Sequence, residues 1–473
     1  MKKNMLASYI YGITDPNGES YHNIFKYFLP ELITAFVLYS ALCLLDAHWI
    51  GHLKSTSAYA TLGVTNQVIH FLVKVSEGLS VGSIILCGQY NGAGFFKRVG
   101  NTVNDAFWLT FIIGIIISSI LFFGAHWIYI LLGVPKKMLS LGVPFLKLRA
   151  IGIFFTFLYF AFIGFLRGIK NTRTPMQIFI VGAIVFIFFD YALIFGKFGF
   201  PEMKLNGSAL ATVVQYSVMF FIALCVVLFN KEYRKYGIHL FSTIKDLNNV
   251  KLFLILSLPV VIDKATMAAA YIWLGKMIAP MGKNAIASFS VIKDLDRLAF
   301  LPAVAFAQVI TLLVSNDFGA SNFVGIKSNI KKVLFLASIF VLIIILILMS
   351  KPKLFIQFFD KKGAFTDFSA KCFHILGIFI FFDLLQLILS GALRAIGAVK
   401  LVMYTRVIIC FSLFFPLSYL ISQLAISNQL MKFVLIFGIF YISNGIMCMV
   451  YINKFRSYSW KKEPDSIQSI LPK

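Results

Sequence analysis

Long apolar stretches recur along this chain, separated by short polar or basic connections. Windows of about 19 residues predict twelve such stretches between residues 27 and 453, each long enough to cross a bilayer as an α-helix. The predicted spans are 27–50, 59–87, 104–132, 144–166, 176–196, 207–229, 252–279, 285–315, 332–350, 371–393, 401–423 and 432–453. Runs of this length exclude a membrane β-barrel, whose strands alternate apolar and polar residues. The pattern predicts an all-α polytopic membrane protein with twelve transmembrane helices.

An internal repeat divides the chain. Residues 166–169 read LRGI and residues 393–396 read LRAI, which is an offset of 227 positions. Gly92 and Gly319 share the same offset. Because independent short matches at one spacing are improbable by chance, we predict a duplicated six-helix unit and hence two pseudo-symmetric lobes with a cavity between them.

Basic connections suggest the boundaries of these lobes and their orientation. We predict an N-terminal six-helix lobe over 1–229, a cytoplasmic linker over 230–251, a C-terminal six-helix lobe over 252–453 and a basic cytoplasmic tail over 454–473. Placing both termini inside puts most loop Lys and Arg residues on the cytoplasmic side. The connection after span 9 is basic and opposes this orientation.

Composition agrees with the hydropathy pattern and narrows the function. Of the 473 residues 59% are apolar and only 13% charged, and the mean hydropathy is +0.87, which excludes a soluble globular protein. The net charge of +24 would indicate nucleic acid binding in a soluble protein, but here it is typical of basic loops at a lipid surface. The six cysteines lack metal-ligand spacing, and no phosphate loop, paired metal histidines or nucleophile elbow occurs. We therefore expect a protein that is not an enzyme, has no cofactor and binds no nucleic acid.

Several short motifs lie at the ends of predicted spans. They are GQYNGAG at 88–94, LRGIKNTRTPM at 166–176, NGSALAT at 206–212, VSNDFGASN at 314–322 and SGALR at 390–394. In this order, and together with the duplication, they resemble the motifs of the multidrug and toxic compound extrusion (MATE) transporters. The resemblance covers nearly the whole chain.

The resemblance implies an antiporter in which two lobes face each other in a V and a H⁺ or Na⁺ gradient drives export of organic, often cationic, compounds. The alternative is a lipid-linked precursor flippase of the same superfamily, although those relatives often have two further helices. A membrane-embedded enzyme and a metabolite transporter of the same fold are further alternatives. We expect a monomer in contact with membrane lipids. High Lys, Ile and Phe usage favours a bacterial source, hence the bacterial cytoplasmic membrane.

Two acids inside apolar spans are the first candidates for ion coupling. Asp46 lies in span 1 and Asp190 lies among phenylalanines in span 5, each without a basic residue within one helical turn. A charged group in a bilayer costs about 2.5–3.5 kcal/mol by insertion scales, so such residues need a reason. The resemblance places acids at both positions. A structural alternative is that each carboxylate pins a neighbouring helix through hydrogen bonds.

Phe186 departs from the family pattern, which leads us to expect asparagine one turn before the span-5 acid. Phenylalanine removes a possible cation ligand, since Na⁺ is bound through several oxygens. An apolar shell also favours the neutral, protonated carboxyl. This favours H⁺ over Na⁺ as the coupling ion.

The second half offers its own candidates. Asp383 in span 10 matches a position that one subgroup of the family uses for cations, and Asp263 near the start of span 7 could join it in a separate cation site.

Candidates for the substrate cavity are Tyr39, whose ring could hold a cationic group, and Lys293 and Asp294 in span 8. The charges of span 8 also allow a local ion pair between Lys293 and Asp296, and Lys74 could pair in the same way with Glu77.

Overall fold

The computed structural model describes residues 13–53, 55–133, 135–240, 247–360, 363–457 and 459–462, and within these ranges the chain is helical without a strand. The helices are α1 Tyr21–Phe36, α2 Leu42–His52, α3 Thr56–Gly92, α4 Phe96–Leu131, α5 Lys136–Gly168, α6 Arg173–Phe195, α7 Leu205–Phe229, α8 Leu247–Ile278, α9 Lys283–Gly319, α10 Phe323–Ser350, α11 Pro352–Gln357, α12 Thr366–Leu376, α13 Ile380–Ala395, α14 Val399–Ile409, α15 Phe415–Gln423 and α16 Gln429–Arg456. A π-helical turn, Val37–Ala41, joins α1 to α2, and another, Cys410–Phe414, joins α14 to α15.

The predicted fold class is confirmed. Eleven helical segments of the described chain are long and apolar enough to cross a membrane, and they coincide with predicted spans 2 to 12. The predicted first span, 27–50, lies within α1, the π-helical turn and α2. The chain is therefore an all-α polytopic membrane protein.

The internal repeat is visible in the backbone. Gly94 and Ser321, which lie 227 positions apart, both have positive φ, at 78° and 57°. Lys170 and Gly397 share that spacing and also have positive φ, at 63° and 95°. Each residue follows a long helix and reverses the chain in the left-handed conformation, which closes the last helical carbonyls. The two halves thus end equivalent helices with the same turn.

The chain forms two compact units. We call Leu29–Val261 the N-unit, and the residues up to Phe28 together with those from Ile262 onward the C-unit. These limits fall inside α1 and α8, and the predicted lobe boundaries stay predictions. The predicted linker over 230–251 is partly helical, with a 3₁₀ helix at Lys231–Tyr236 and the start of α8 at Leu247. The predicted tail begins within α16, and residues 463–473 lie outside the described residues.

Each unit holds the segment that precedes the first helix of the other repeat. In the C-unit, Lys332 Nζ of α10 donates to the carbonyl oxygens of Asp15 at 2.7 Å and Glu19 at 3.0 Å. Asn329 Oδ1 accepts from the Glu19 backbone N–H at 2.8 Å. These bonds fix the segment before α1 on α10.

The N-unit repeats this arrangement with the segment before α8. Asn249 Nδ2 donates to Asp105 Oδ2 of α4 at 2.7 Å, and Trp108 Nε1 donates to the Leu240 carbonyl at 2.9 Å. Asp105 and Lys332 are 227 positions apart, so equivalent positions of the two repeats hold the two segments.

Candidate functional site

A cavity lies within the N-unit, between α2, α3, α5, α6 and α7. Ile50, one helical turn after Asp46 on α2, packs in an apolar cluster with Phe145, Ile194, Leu205 and Ala209. This packing fixes the α2 turn that carries the first predicted acid. The polar residues that line the cavity are Asp46, Asn66, His70, Lys74, Arg149, Thr156, Thr212, Gln215 and Tyr216.

Asp46 lies on this cavity and is buried, with 5% of its surface exposed. Its Oδ1 accepts a hydrogen bond of 2.7 Å from Ser208 Oγ of α7. One neutral hydroxyl compensates only weakly for the burial of a carboxylate. The family resemblance connects the acid at this position with ion coupling. The hydrogen bond across α2 and α7 also fits the structural alternative, so the coupling role of Asp46 stays a prediction.

Asp190 of α6 is fully buried, and neither carboxylate oxygen has a hydrogen-bond partner among the described residues. Phe186, one turn earlier, is also buried and lines the cavity with an apolar ring. Asp190 is close enough to Asp46 and Arg149 to interact with both electrostatically. The structure therefore brings both predicted acids of the N-unit into one electrostatic group, although only Asp46 lines the cavity.

Arg149 of α5 belongs to this group and was missed in the sequence. It is 8% exposed and lines the cavity. Its Nη1 donates to Thr212 Oγ1, and its Nη2 donates to Asn66 Oδ1 at 2.7 Å. The signal was present, because Arg149 is a charged residue inside predicted span 144–166, where the cost of burial already demands a reason.

The predicted pair of Lys74 and Glu77 is confirmed, with a distance of 3.0 Å between Nζ and Oε2. Lys74 lies at the cavity, where its side chain is 40% exposed. Basic groups from α3 and α5 thus line the same cavity as the carboxylate of Asp46.

The acids of the C-unit have closer partners. Asp263 of α8 accepts from Arg394 Nη2 at 2.5 Å through Oδ2 and from Arg406 Nε through Oδ1. Asp383 of α13 accepts from Asn444 Nδ2 through Oδ1. Since both oxygens of Asp263 are bound by arginines, the geometry favours a structural ion cluster there. The ion-coupling roles of Asp263 and Asp383 stay predictions.

The repeat gives the N-unit a related ion pair. Arg167, equivalent to Arg394 at the 227-residue spacing, donates to Glu31 of α1 at 2.8 Å from Nε and 2.6 Å from Nη2. Each of the two motifs, LRGI and LRAI, therefore supplies an arginine that binds a buried acid of its own unit. No local sequence pattern indicated this arrangement.

The predicted ion pair in span 8 is corrected. Asp294 pairs with Arg297 at 3.1 Å, whereas Asp296 accepts a hydrogen bond from the Tyr441 hydroxyl. Lys293 lies over the Phe289 ring, with Nζ 5.7 Å from the ring centroid. The prediction of Lys293 with Asp296 failed because spacing alone does not choose between the i,i+3 partners on a helix.

The substrate-cavity predictions remain open. Lys293 and Asp294 lie on α9 in the C-unit and do not line the N-unit cavity. The side chain of Tyr39 lies outside the described residues, although the backbone of its π-helical turn is described and Leu38 lines the cavity.

Comparison with known proteins tests the family. The MatE family model matches residues 32–192 and again residues 259–420, so the two matches begin 227 positions apart. The chain is 28% identical over 309 residues to the probable multidrug resistance protein YoeA of Bacillus subtilis, with 64% of this chain and 66% of that protein covered. It is 27% identical over 352 residues to the probable multidrug resistance protein NorM of Thermotoga maritima, with 74% and 75% covered.

Solved structures show the same fold. A mutant of the Vibrio cholerae MATE transporter VcmN superposes with a TM-score of 0.84 at 15% identity, covering 93% of this chain and 98% of that one. An outward-facing multidrug resistance MATE family transporter gives 0.82 at 18% identity, covering 92% and 95%. The double family match at the repeat spacing, the helical fold and the motifs agree, and the chain belongs to the MatE family.

Proposed function

We propose that this protein exports drug-like organic compounds across a bacterial cytoplasmic membrane by alternating access, in exchange for protons. The named relatives support export, because both are described as probable multidrug resistance proteins and both come from bacteria. They do not favour the flippase alternative. We further propose that the transporter works as a monomer and without enzymatic activity.

The observation that carries the proton proposal is the environment of Asp190. An ionised carboxylate that is fully buried and lacks a hydrogen-bond partner among the described residues is costly. Binding a proton removes the charge, and with it the larger part of this cost, without any additional ligand. A hard cation such as Na⁺ requires several oxygen ligands, and Phe186 presents only carbon where an oxygen would help.

Asp46 connects the proton with the cargo. It lines the cavity, and its carboxylate interacts electrostatically with Asp190. A cationic group in the cavity is attracted to the ionised form of Asp46, and protonation removes that attraction. Proton and cationic cargo therefore compete for the N-unit, and competition is what an exchanger requires.

Transport into reconstituted vesicles tests this proposal. Purified protein is inserted into liposomes in Na⁺-free buffer, a pH gradient is imposed, and movement of a fluorescent organic cation is followed. We expect counterflow that depends on the pH gradient and collapses when a protonophore is added. Transport that requires a Na⁺ gradient and ignores the pH gradient would contradict the proton proposal and favour the C-unit acids instead.

A further inference from the structure

Arg149 is a buried positive charge in the cavity without a counter-charge in contact. Among the described residues no carboxylate lies within salt-bridge distance of its guanidinium, and its interaction with Asp46 and Asp190 acts at longer range. Burial of an unpaired charge is expensive unless hydrogen bonds or an opposite charge compensate it. The Phe145 ring, 5.6 Å from Arg149 Cζ, supplies only a modest cation–π attraction.

The hydrogen bonds of Arg149 leave donors unused. A guanidinium has five N–H donors, which match a carboxylate in a bidentate fork. The two contacts that the structure shows go to neutral oxygens, those of Thr212 and Asn66. The buried Nε has no partner among the described residues. The side chain is thus held in place by neutral groups while its charge and part of its donor capacity are unsatisfied.

Opposite charges therefore line one cavity. Asp46 offers an anionic site and Arg149 a cationic one, on different helices. Lys74 also lines the cavity, but Glu77 already neutralises its charge. A purely cationic cargo would be attracted by Asp46 but repelled by Arg149, whereas a molecule with both charges can satisfy both.

We infer that Arg149 binds a carboxylate of the cargo, so that the N-unit cavity selects zwitterionic organic compounds. The cationic group of the cargo faces Asp46 and its carboxylate faces the Arg149 guanidinium. This inference rests on the proposed function and names its substrate class. The inference also agrees with proton exchange, because a proton on Asp46 displaces the cationic group of the cargo while Arg149 remains charged.

Binding to a matched pair of dyes tests the inference. Rhodamine 110 has a free carboxylate beside its cationic ring system, and rhodamine 123 is its methyl ester. Fluorescence anisotropy with the purified, detergent-solubilised protein at neutral pH measures both dissociation constants. We expect the wild type to bind rhodamine 110 about ten- to a hundredfold more tightly than rhodamine 123, as for one charge-assisted interaction. Equal affinity, or preference for the ester, overturns the inference.

Variants separate recognition from folding. In Arg149→Met the preference for rhodamine 110 is expected to vanish while binding of the ester is retained, and Arg149→Lys is expected to keep part of the preference. The contrary result is that Arg149→Met weakens the binding of both dyes by the same factor, while Arg149→Lys keeps the wild-type selectivity. That result would assign the arginine a structural role and contradict the inference.

Transport of the same dyes distinguishes this inference from the proposed function. If a pH gradient drives transport of rhodamine 123 and the protein shows no preference for rhodamine 110, the proposed function stands and the inference fails. If the protein prefers rhodamine 110 but a pH gradient moves neither dye, the zwitterion site stands and proton-driven export fails.

Discussion

In the C-unit two arginines hold the buried carboxylate of Asp263, whereas in the N-unit the carboxylate of Asp190 has no hydrogen-bond partner and Arg149 forms no salt bridge, among the described residues. One family model matches both halves of the chain, so the two units present the same repeat with different side chains around their buried charges. A charge with a fixed internal partner stabilises one arrangement of helices. A charge without one is available to a proton or a ligand. Under the proposed function, this contrast favours a stabilising role for the C-unit cluster and an exchange role for Asp190.

The largest effect is expected from breaking the C-unit cluster. Replacing Arg406 with methionine removes one of the two arginines bound to Asp263 and leaves a buried carboxylate with incomplete compensation. We expect a loss of about 3–5 kcal/mol in the free energy of unfolding. The measurement is the midpoint of unfolding in detergent, compared with that of the wild type.

Lys353→Met is a control for this variant. It breaks the 2.6 Å pair with Asp367, in which the two side chains are 64% and 76% exposed, so stability should change little. An Arg406→Met protein as stable as this control would show that the cluster is not structural, and the contrast between the units would disappear.

The next effect concerns the N-unit. We expect Asp190→Asn to fold normally but to lose pH-gradient-driven export by at least about tenfold, because an amide cannot take up and release the proton. Vesicle transport and the midpoint of unfolding are measured side by side. The matched control is Asp367→Asn, the same substitution at an exposed position of the C-unit. Near-normal export by Asp190→Asn would make this acid structural.

A third variant tests whether the C-unit also has an acid that exchanges its proton. Tyr441→Phe removes the hydroxyl that donates a hydrogen bond to Asp296 Oδ2. The other oxygen, Oδ1, already has no hydrogen-bond partner among the described residues. We expect the free energy of unfolding to fall by about 1–3 kcal/mol with export preserved. If export falls while stability is retained, Asp296 belongs with Asp190 rather than with Asp263.

The smallest effect concerns an acid that neutral donors hold outside the spans. Although burial opposes ionisation, hydrogen bonds from Phe365 N, Thr366 Oγ1 and Ala364 N hold the pKa of Asp360 below the ordinary value of 3.8. A lowered pKa adds stability above the unfolded-state pKa, and this is lost as the pH falls through the folded-state pKa. We expect Asp360→Asn to be slightly less stable than the wild type at neutral pH.

The pH dependence identifies the cause of that difference. The wild type and Asp360→Asn should converge in unfolding midpoint when the pH is lowered below the folded-state pKa of Asp360. A difference of constant size down to acidic pH would mean that packing, not ionisation, is responsible.

Hydropathy predicted the helices because burial in lipid demands apolar runs of fixed length. The internal matches predicted the duplicated unit, which the family model matches twice. Hydropathy could not predict the π-helical turn at Val37–Ala41, since a change of hydrogen-bond register leaves the apolar pattern unaltered. It also began the seventh span at 252 rather than at Leu247. The polar Asn249 hides the start of α8, because its amide is paired with Asp105 far away in sequence.

The acids of the candidate site were predictable because they interrupt apolar spans, but their partners were not. Ser208 is 162 positions from Asp46, and Arg406 is 143 positions from Asp263. Only the fold brings such residues together, so the sequence could not separate an exchangeable acid from one held in a cluster. Arg149 could have been found by the same criterion as the acids, namely that a charged residue interrupts an apolar span.

The segment before α1 has a consequence for biosynthesis. Lys332 binds the carbonyl oxygens of Asp15 and Glu19, which lie 317 and 313 positions earlier in the chain. At about 5–20 residues per second, roughly 15–60 s of translation separate the two parts. The equivalent contact of the N-unit, Asn249 with Asp105, spans 144 positions and can close first. The segment before α1 is therefore synthesised well before the α10 residue that binds it. A deletion in this amino-terminal segment should impair the folding of the half that is made last.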